Sequence, residues 1–293
     1  MPTRGGNWDE NANLDYFQME SVHRACWADR AEAWGRIVAR MTDLKSQNSP
    51  RFRLKILPIL VTAVLGYGVP YVAGYAAFYS SRIFNTPSPH GPTLPWLYSQ
   101  HALQLLLALI VIAVLKFKLM PADYGLHWPR GKTYIGPAIL WGIGFGVLMT
   151  LVDYAPQLLA HTLPDPGFRL TPENIRGWLF FEGIYVGPTE EIPFRALLVT
   201  YLATTMPGKL QIGRFNMNWA GIIVALIFAL LHANNFDTRH WPEALGQQFY
   251  AFALGVLYAY WLEKSKSVVA PIIGHNVSDV VEYIILFAWL GVF

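Results

Sequence analysis

The 293-residue sequence holds one cysteine, Cys26. No disulfide can form within the chain, which excludes a cysteine-stapled extracellular scaffold. Charge is scarce as well. Asp, Glu, Lys and Arg make up 14% of the residues, against about 25% in soluble domains. A water-soluble fold of this length would lack the charges to cover its surface. The net charge of +3 gives no reason to expect nucleic acid as a partner. No long apolar run precedes Ile56, too late for the core of a secretory signal, so no cleaved leader is expected. No internal repeat is visible. What the chain does have is apolar: 54% of it is hydrophobic and 15% aromatic. That excludes disorder and suits an integral membrane protein with aromatic belts at both interfaces.

A hydrocarbon core is crossed by about 20 apolar helical residues. Seven stretches qualify as candidates: Ile56–Tyr79, Leu97–Leu115, Tyr134–Ala160, Trp178–Thr204, Phe215–Ala233, Gly246–Leu262 and Ser267–Phe293. With these spans, 17 Lys and Arg fall in the tail and in alternate loops, and 4 fall on the opposite side. By the positive-inside rule the N-terminus is expected in the cytoplasm and the C-terminus outside. The fold class expected is all-α, a polytopic membrane bundle of about seven transmembrane helices. In the tail, Trp27, Ala31, Trp34, Val38 and Met41 recur at helical spacing with Arg30, Arg36 and Arg40 off the stripe. This predicts an amphipathic helix, either on the cytoplasmic leaflet or docked on the protein's own loops. The organisation read from this is a cytoplasmic tail over 1–55, a three-helix membrane scaffold over 56–160 and a four-helix core over 178–293.

Ionisable groups inside a bilayer are costly and mark function by default. The first three spans contain His101 and Asp153, both close to outer ends. There His101 is expected to be a satisfied or interfacial histidine, and Asp153 to reach the headgroups. The last four spans contain eight such groups. Glu191 and Arg195 are four residues apart and share a helix face, so they are expected to pair. Glu190 points about 100° away and has no cation on its own helix. Local geometry therefore assigns Glu191 to structure and Glu190 to acid–base chemistry. From this span alone, a buried structural network for both glutamates stands as the equal alternative. Pro188 and Pro193 flank the pair, and their missing N–H groups are expected to loosen the helix. Phe228 and His232 lie four apart in the fifth span. His275, Asp279 and Glu282 form one stripe in the seventh, with Glu282 deeper and expected to be structural.

Taken in order, Glu190-Glu191-x-x-x-Arg195, Phe228-x-x-x-His232 and His275-x-x-x-Asp279 resemble the three motifs of the CPBP intramembrane proteases. That family groups CAAX prenyl endopeptidases with bacteriocin-processing and self-immunity proteins. The resemblance covers the last four spans and does not extend to residues 1–130. It implies that Glu190 activates water with help from His232. It implies that His275 and Asp279 stabilise the oxyanion, with Glu191, Arg195 and Phe228 in support. It implies a metal-free mechanism. Many members have Asn where this chain has Asp279. An ionised carboxylate cannot donate a hydrogen bond to an oxyanion. Asp279 must then be protonated, orient His275 or bind a cation, and the first is the expectation adopted.

The function expected is hydrolysis of a peptide bond in a membrane-associated protein or peptide, within a bilayer and without nucleic acid. Ser267 and Ser278 lack a triad setting, so no Ser or Cys nucleophile is expected. No cofactor is identified. Zinc is the alternative to a metal-free site, and His232, His275 and Glu190 would be its ligands, although no HExxH spacing occurs. A midplane transporter site and a catalytically idle scaffold or immunity protein are the competing functions. The location expected is a bacterial inner membrane.

Overall fold

The computed structural model describes residues 54–83, 94–213, 215–237 and 239–293. The predicted tail helix over Trp27–Met41 lies outside these residues.

The described chain is an all-α bundle with one short hairpin. Helix α1 runs over Ile56–Ile83 and α2 over Leu94–Val114, ending in one wide turn at Leu115–Leu119. Helix α3 spans Ile135–Asp153, followed by the short α4, Ala155–Ala160. Residues 172–205 are helical throughout but not uniform. Regular turns at α5 (Pro172–Phe180), α6 (Val186–Glu191) and α7 (Thr200–Thr205) alternate with wide π turns at Phe181–Tyr185 and Ile192–Val199. Strands β1 (Lys209–Ile212) and β2 (Phe215–Asn218) pair antiparallel, with Ile212 opposite Phe215. Then come α8 (Trp219–Leu231), a 3-10 segment at His232–Asp237, α9 (Trp241–Ser265) and α10 (Val269–Trp289).

Among the described residues, five helical stretches are long and apolar enough to cross a bilayer: Ile56–Tyr79, Leu94–Leu119, Ile135–Asp153, Trp219–Asp237 and Val269–Trp289. The other two expected spans are helical but fall outside that set. Residues 172–205 carry Glu182, Glu190, Glu191 and Arg195 in their middle. Trp241–Ser265 carries Glu243, Gln247, Gln248, Glu263 and Lys264. The expected fifth span also starts late. Phe215–Asn218 is strand, and the helix begins where the Asn218 side chain accepts a bond from Ala220 N at 2.8 Å. That is an ordinary N-cap.

Helix α3 packs on α10 through glycine. A Cβ on Gly142 would stand 2.9 Å from Gly274 O, and one on Gly146 only 2.5 Å from Ser278 O. This small-xxx-small spacing lets two backbones approach where lipid supplies no hydrophobic drive. It sets the helix that bears His275, Asp279 and Glu282 directly against the third span. Helices α8 and α9 use the same device. Gly255 faces Ala225, and its open space also borders the Arg195 guanidinium.

The two prolines explain the broken helix. In a regular helix Pro188 would serve Ile184 O and Pro193 would serve Thr189 O, but neither has an N–H. Side-chain amides from neighbouring helices take over both tasks. Asn276 of α10 donates to Ile184 O at 3.2 Å and accepts from Gly187 N at 2.7 Å. Gln104 of α2 donates to Thr189 O at 2.9 Å. Gly187 is obligatory here, since a Cβ would lie 2.3 Å from Asn276 Oδ1. The segment between the prolines is thus fixed from two sides, and it holds Glu190 and Glu191. Gln104→Ala leaves the buried Thr189 carbonyl without a donor, a cost of about 1–3 kcal/mol, and Asn276→Ala removes both the bond to Ile184 O and the acceptor of Gly187 N. Thermal unfolding in detergent should show a lower midpoint for both. An unchanged midpoint would mean that water or a backbone shift satisfies the carbonyls.

Candidate active site

Glu191 is fully buried and Arg195 is 1% exposed. Arg195 Nε lies 3.1 Å from Glu191 Oε2, as the four-residue spacing predicts. The contact is off the line of the N–H, so it is an ion pair rather than a hydrogen bond. The terminal nitrogens of Arg195 find no hydrogen-bond partner among the described residues. They are held by rings instead. The guanidinium carbon sits 4.6 Å from the Phe228 ring centre and 5.4 Å from that of Tyr258. Cation–π attraction of this kind is strongest where water is excluded.

The other oxygen of Glu191 reaches across to α10. Its Oε1 is 2.7 Å from His275 Nδ1. The opposite face of that imidazole meets two more carboxylates: Nε2 lies 3.2 Å from Asp279 Oδ2 and 3.8 Å from Glu190 Oε2. Tyr258 stacks on the His275 ring at 5.9 Å. So Tyr258 has a neighbour in the first motif, Arg195, and one in the third, His275. Asp279 Oδ1 is 3.0 Å from Ser278 Oγ, which also lies 2.8 Å from His275 O. One hydroxyl hydrogen cannot fully serve both oxygens.

Glu190 is the most accessible of these carboxylates, half-buried with its side chain 21% accessible. Its Oε1 meets His101 Nε2 of α2 at 3.2 Å. Of the two readings expected for it, His101 is therefore the satisfied histidine, bonded at both ring nitrogens, and not the interfacial one. Depth along the span placed it near an end, whereas residues 172–205 cross close enough to α2 to bring Glu190 against it. His232 is half-buried at the end of α8, and its Nδ1 lies 3.1 Å from Phe228 O. A carbonyl only accepts, so Nδ1 holds a hydrogen and Nε2 of the neutral ring carries a lone pair.

Asp153 does not reach headgroups. It is buried against Arg239 Nη1 at 2.6 Å and Tyr250 Oη at 3.0 Å. The link after α8 returns Arg239 onto it, a contact that spacing along the chain could not show. Glu282 is buried and shares a cavity wall with Glu182, Asp153 and Asp279.

Two cavities meet at Glu190. One, of about 300 Å³, is lined by the polar set, including Asp153, His275, Asp279 and Glu282. The other, of about 720 Å³, opens between α1, α2 and α8 and is walled by Tyr67, Tyr71, Tyr75, Trp96 and Phe194. His101, Glu190, Phe228 and His232 line both. The site is thus a polar chamber joined to an apolar vestibule, with a carboxylate at the junction.

Among the described residues no three His, Cys, Asp or Glu side chains converge as a metal-holding set. Both His275 nitrogens already face carboxylate oxygens.

Four side chains of this arrangement, His101, Gln104, Tyr258 and Asn276, had no place in the motif reading. His101 and Gln104 left one weak trace: they lie three residues apart, which puts both on one face, but Ser99 and Gln100 beside them keep the pair from standing out.

No curated protein and no solved structure matches the chain. The family model described as type II CAAX prenyl endopeptidase Rce1-like matches residues 172–281, a stretch that holds Glu190, Glu191, Arg195, Phe228, His232, His275 and Asp279. These residues form an Rce1-like domain of the CPBP/CAAX protease family, built into a polytopic membrane helix bundle.

Proposed function

We propose that this protein is an intramembrane endopeptidase that hydrolyses a peptide bond in a membrane-associated protein or peptide by direct attack of water. The observation that carries the reading is the placement of Glu190 where the apolar vestibule joins the polar chamber, with His232 on the wall of both. A carboxylate there meets water from one side and a substrate chain from the other.

Peptide hydrolysis needs a base for water, a donor for the oxyanion and a proton for the departing amine. Glu190 takes a proton from water as the water oxygen bonds to the carbonyl carbon. The Nε2 lone pair of His232 accepts a second hydrogen bond from that water and orients it. His275 presents Nε2–H to the developing oxyanion, turning from the Asp279 and Glu190 oxygens it faces at rest. Collapse of the tetrahedral intermediate breaks the C–N bond, and the proton held by Glu190 passes to the amine. Glu191 keeps His275 in place through Nδ1, and Arg195 neutralises Glu191. The vestibule is walled by tyrosines, Trp96 and Phe194, which suits an apolar segment beside the cleaved bond. The 17-to-4 split of basic residues supports an inner-membrane protein with a cytoplasmic N-terminus.

Cleavage of an internally quenched peptide library by the purified protein in detergent tests this reading, with Glu190→Gln as control. Turnover that survives Glu190→Gln would remove it.

Asp279→Asn separates two roles for that carboxyl. Asn keeps an acceptor for His275 Nε2 and adds N–H donors for an oxyanion. The variant should retain activity and keep it at high pH, where an ionised Asp has nothing to donate. A pH–rate profile of both proteins side by side decides it. A variant inactive at every pH would show that the position works as a carboxylate.

A further inference from the structure

His101 lies outside both the matched segment and the three motifs, yet it touches the residue on which hydrolysis depends. Its ring is fixed on three sides. Nδ1 is 3.0 Å from Leu97 O, one turn back, and because a carbonyl only accepts, Nδ1 carries hydrogen. The ring meets the Phe181 edge at 4.9 Å and 87°. Nε2 faces Glu190 Oε1 at 3.2 Å. Two lone pairs at that separation would repel, so a proton lies between them. Either His101 donates it to a carboxylate or Glu190 donates it to the ring. His232 makes the same bond to its own preceding turn, but among the described residues its Nε2 has no hydrogen-bond partner. Of these two histidines only His101 hydrogen-bonds to Glu190, and it does so at Oε1, whereas His275 faces Oε2 at 3.8 Å. One turn further along α2, Gln104 holds Thr189 O, the backbone just before Glu190. Helix α2 thus grips both the carboxyl group and the backbone that carries it.

We propose that His101 is the positioning residue of Glu190: its Nε2 occupies Oε1 and leaves Oε2, on the His275 side, as the oxygen that takes the proton from water. The proposal rests on the endopeptidase reading above. It gives the N-terminal helices, which lie outside residues 172–281, a part in the chemistry.

Side-chain length provides the test. His101→Asn keeps an amide near the Nδ1 position, able to serve Leu97 O but too short for Glu190. His101→Gln carries the amide nitrogen out to the Nε2 position. On a quenched peptide that the native protein cleaves, Asn should lower kcat by roughly 10–100-fold, the usual loss for a partner that orients a site ligand, with KM near native. Gln should recover most of that loss. Both variants should unfold near the native temperature. Equal losses for Asn and Gln, full activity in Asn, or a change in KM alone would overturn the proposal. Failure of the endopeptidase reading shows up differently, as no cleavage by the native protein or cleavage that survives Glu190→Gln, and the positioning role would fall with it. Nitrogen-15 histidine NMR reads the contact without turnover: the His101 Nε2 signal should move in Glu190→Gln, and a signal that stays in place would also overturn the proposal.

Discussion

Glu190→Gln is expected to abolish measurable hydrolysis, a fall of roughly 100–10,000-fold for loss of a general base, while the protein stays folded. Gln keeps the size of the side chain and can still donate to or accept from His101 Nε2, so the contact to α2 survives. What it loses is the ability to take a proton from water. Folding should be spared because the buried ion pair involves Glu191, not Glu190, and because Glu190 borders both cavities rather than being sealed in the core. His232→Ala should act in the same direction, since its Nε2 is the other acceptor on the wall shared by both cavities. Turnover of a peptide by each purified variant, beside its thermal unfolding in the same detergent, separates the two effects. Near-native turnover in either variant would mean that the base lies elsewhere.

Glu191→Ala should fail for another reason. The side chain is fully buried and neutralises an Arg195 that is 1% exposed. It also holds His275 Nδ1 at 2.7 Å. Without it, Arg195 keeps the faces of Phe228 and Tyr258 but no anion. Breaking a buried pair from one side typically costs about 3–5 kcal/mol, and the ring contacts, already present in the native protein, do not offset that loss. Stability of folded proteins is commonly 5–15 kcal/mol in all. The variant should express poorly or unfold at a much lower temperature, and activity should fall with the folded fraction. A double replacement, Glu191→Leu with Arg195→Met, removes both charges and should recover much of the stability without the alignment of His275. A stable, monodisperse Glu191→Ala that is merely inactive would show that the pair does not hold the fold.

These two outcomes differ because adjacent residues on a helix face different surroundings, and that much was readable along the chain. Glu191 and Arg195 share a face by their spacing, so their pairing needed no neighbouring helix to reveal it. The loosening at Pro188 and Pro193 was equally legible, because a missing N–H is a property of the residue. The membrane character followed from a count of charges. The ordered motifs in residues 172–281 pointed to the family before any coordinate was known.

Tertiary structure decided the rest, for one physical reason: contacts between helices depend on crossing points that no periodicity encodes. Depth along a span made His101 and Asp153 resemble interfacial residues. The crossing of α2 with residues 172–205 put His101 on Glu190, and the link after α8 returned Arg239 to Asp153. The prolines announced two orphaned carbonyls, but only packing showed Gln104 and Asn276 as their donors. Spacing likewise gave His275 and Asp279 a common face without showing that His275 is held from the other side by Glu191. Residue type and position along the chain were enough to tell which groups are costly in a bilayer. The fold determined which of them offset one another and left Glu190, alone among the motif carboxylates, at the junction of the two cavities.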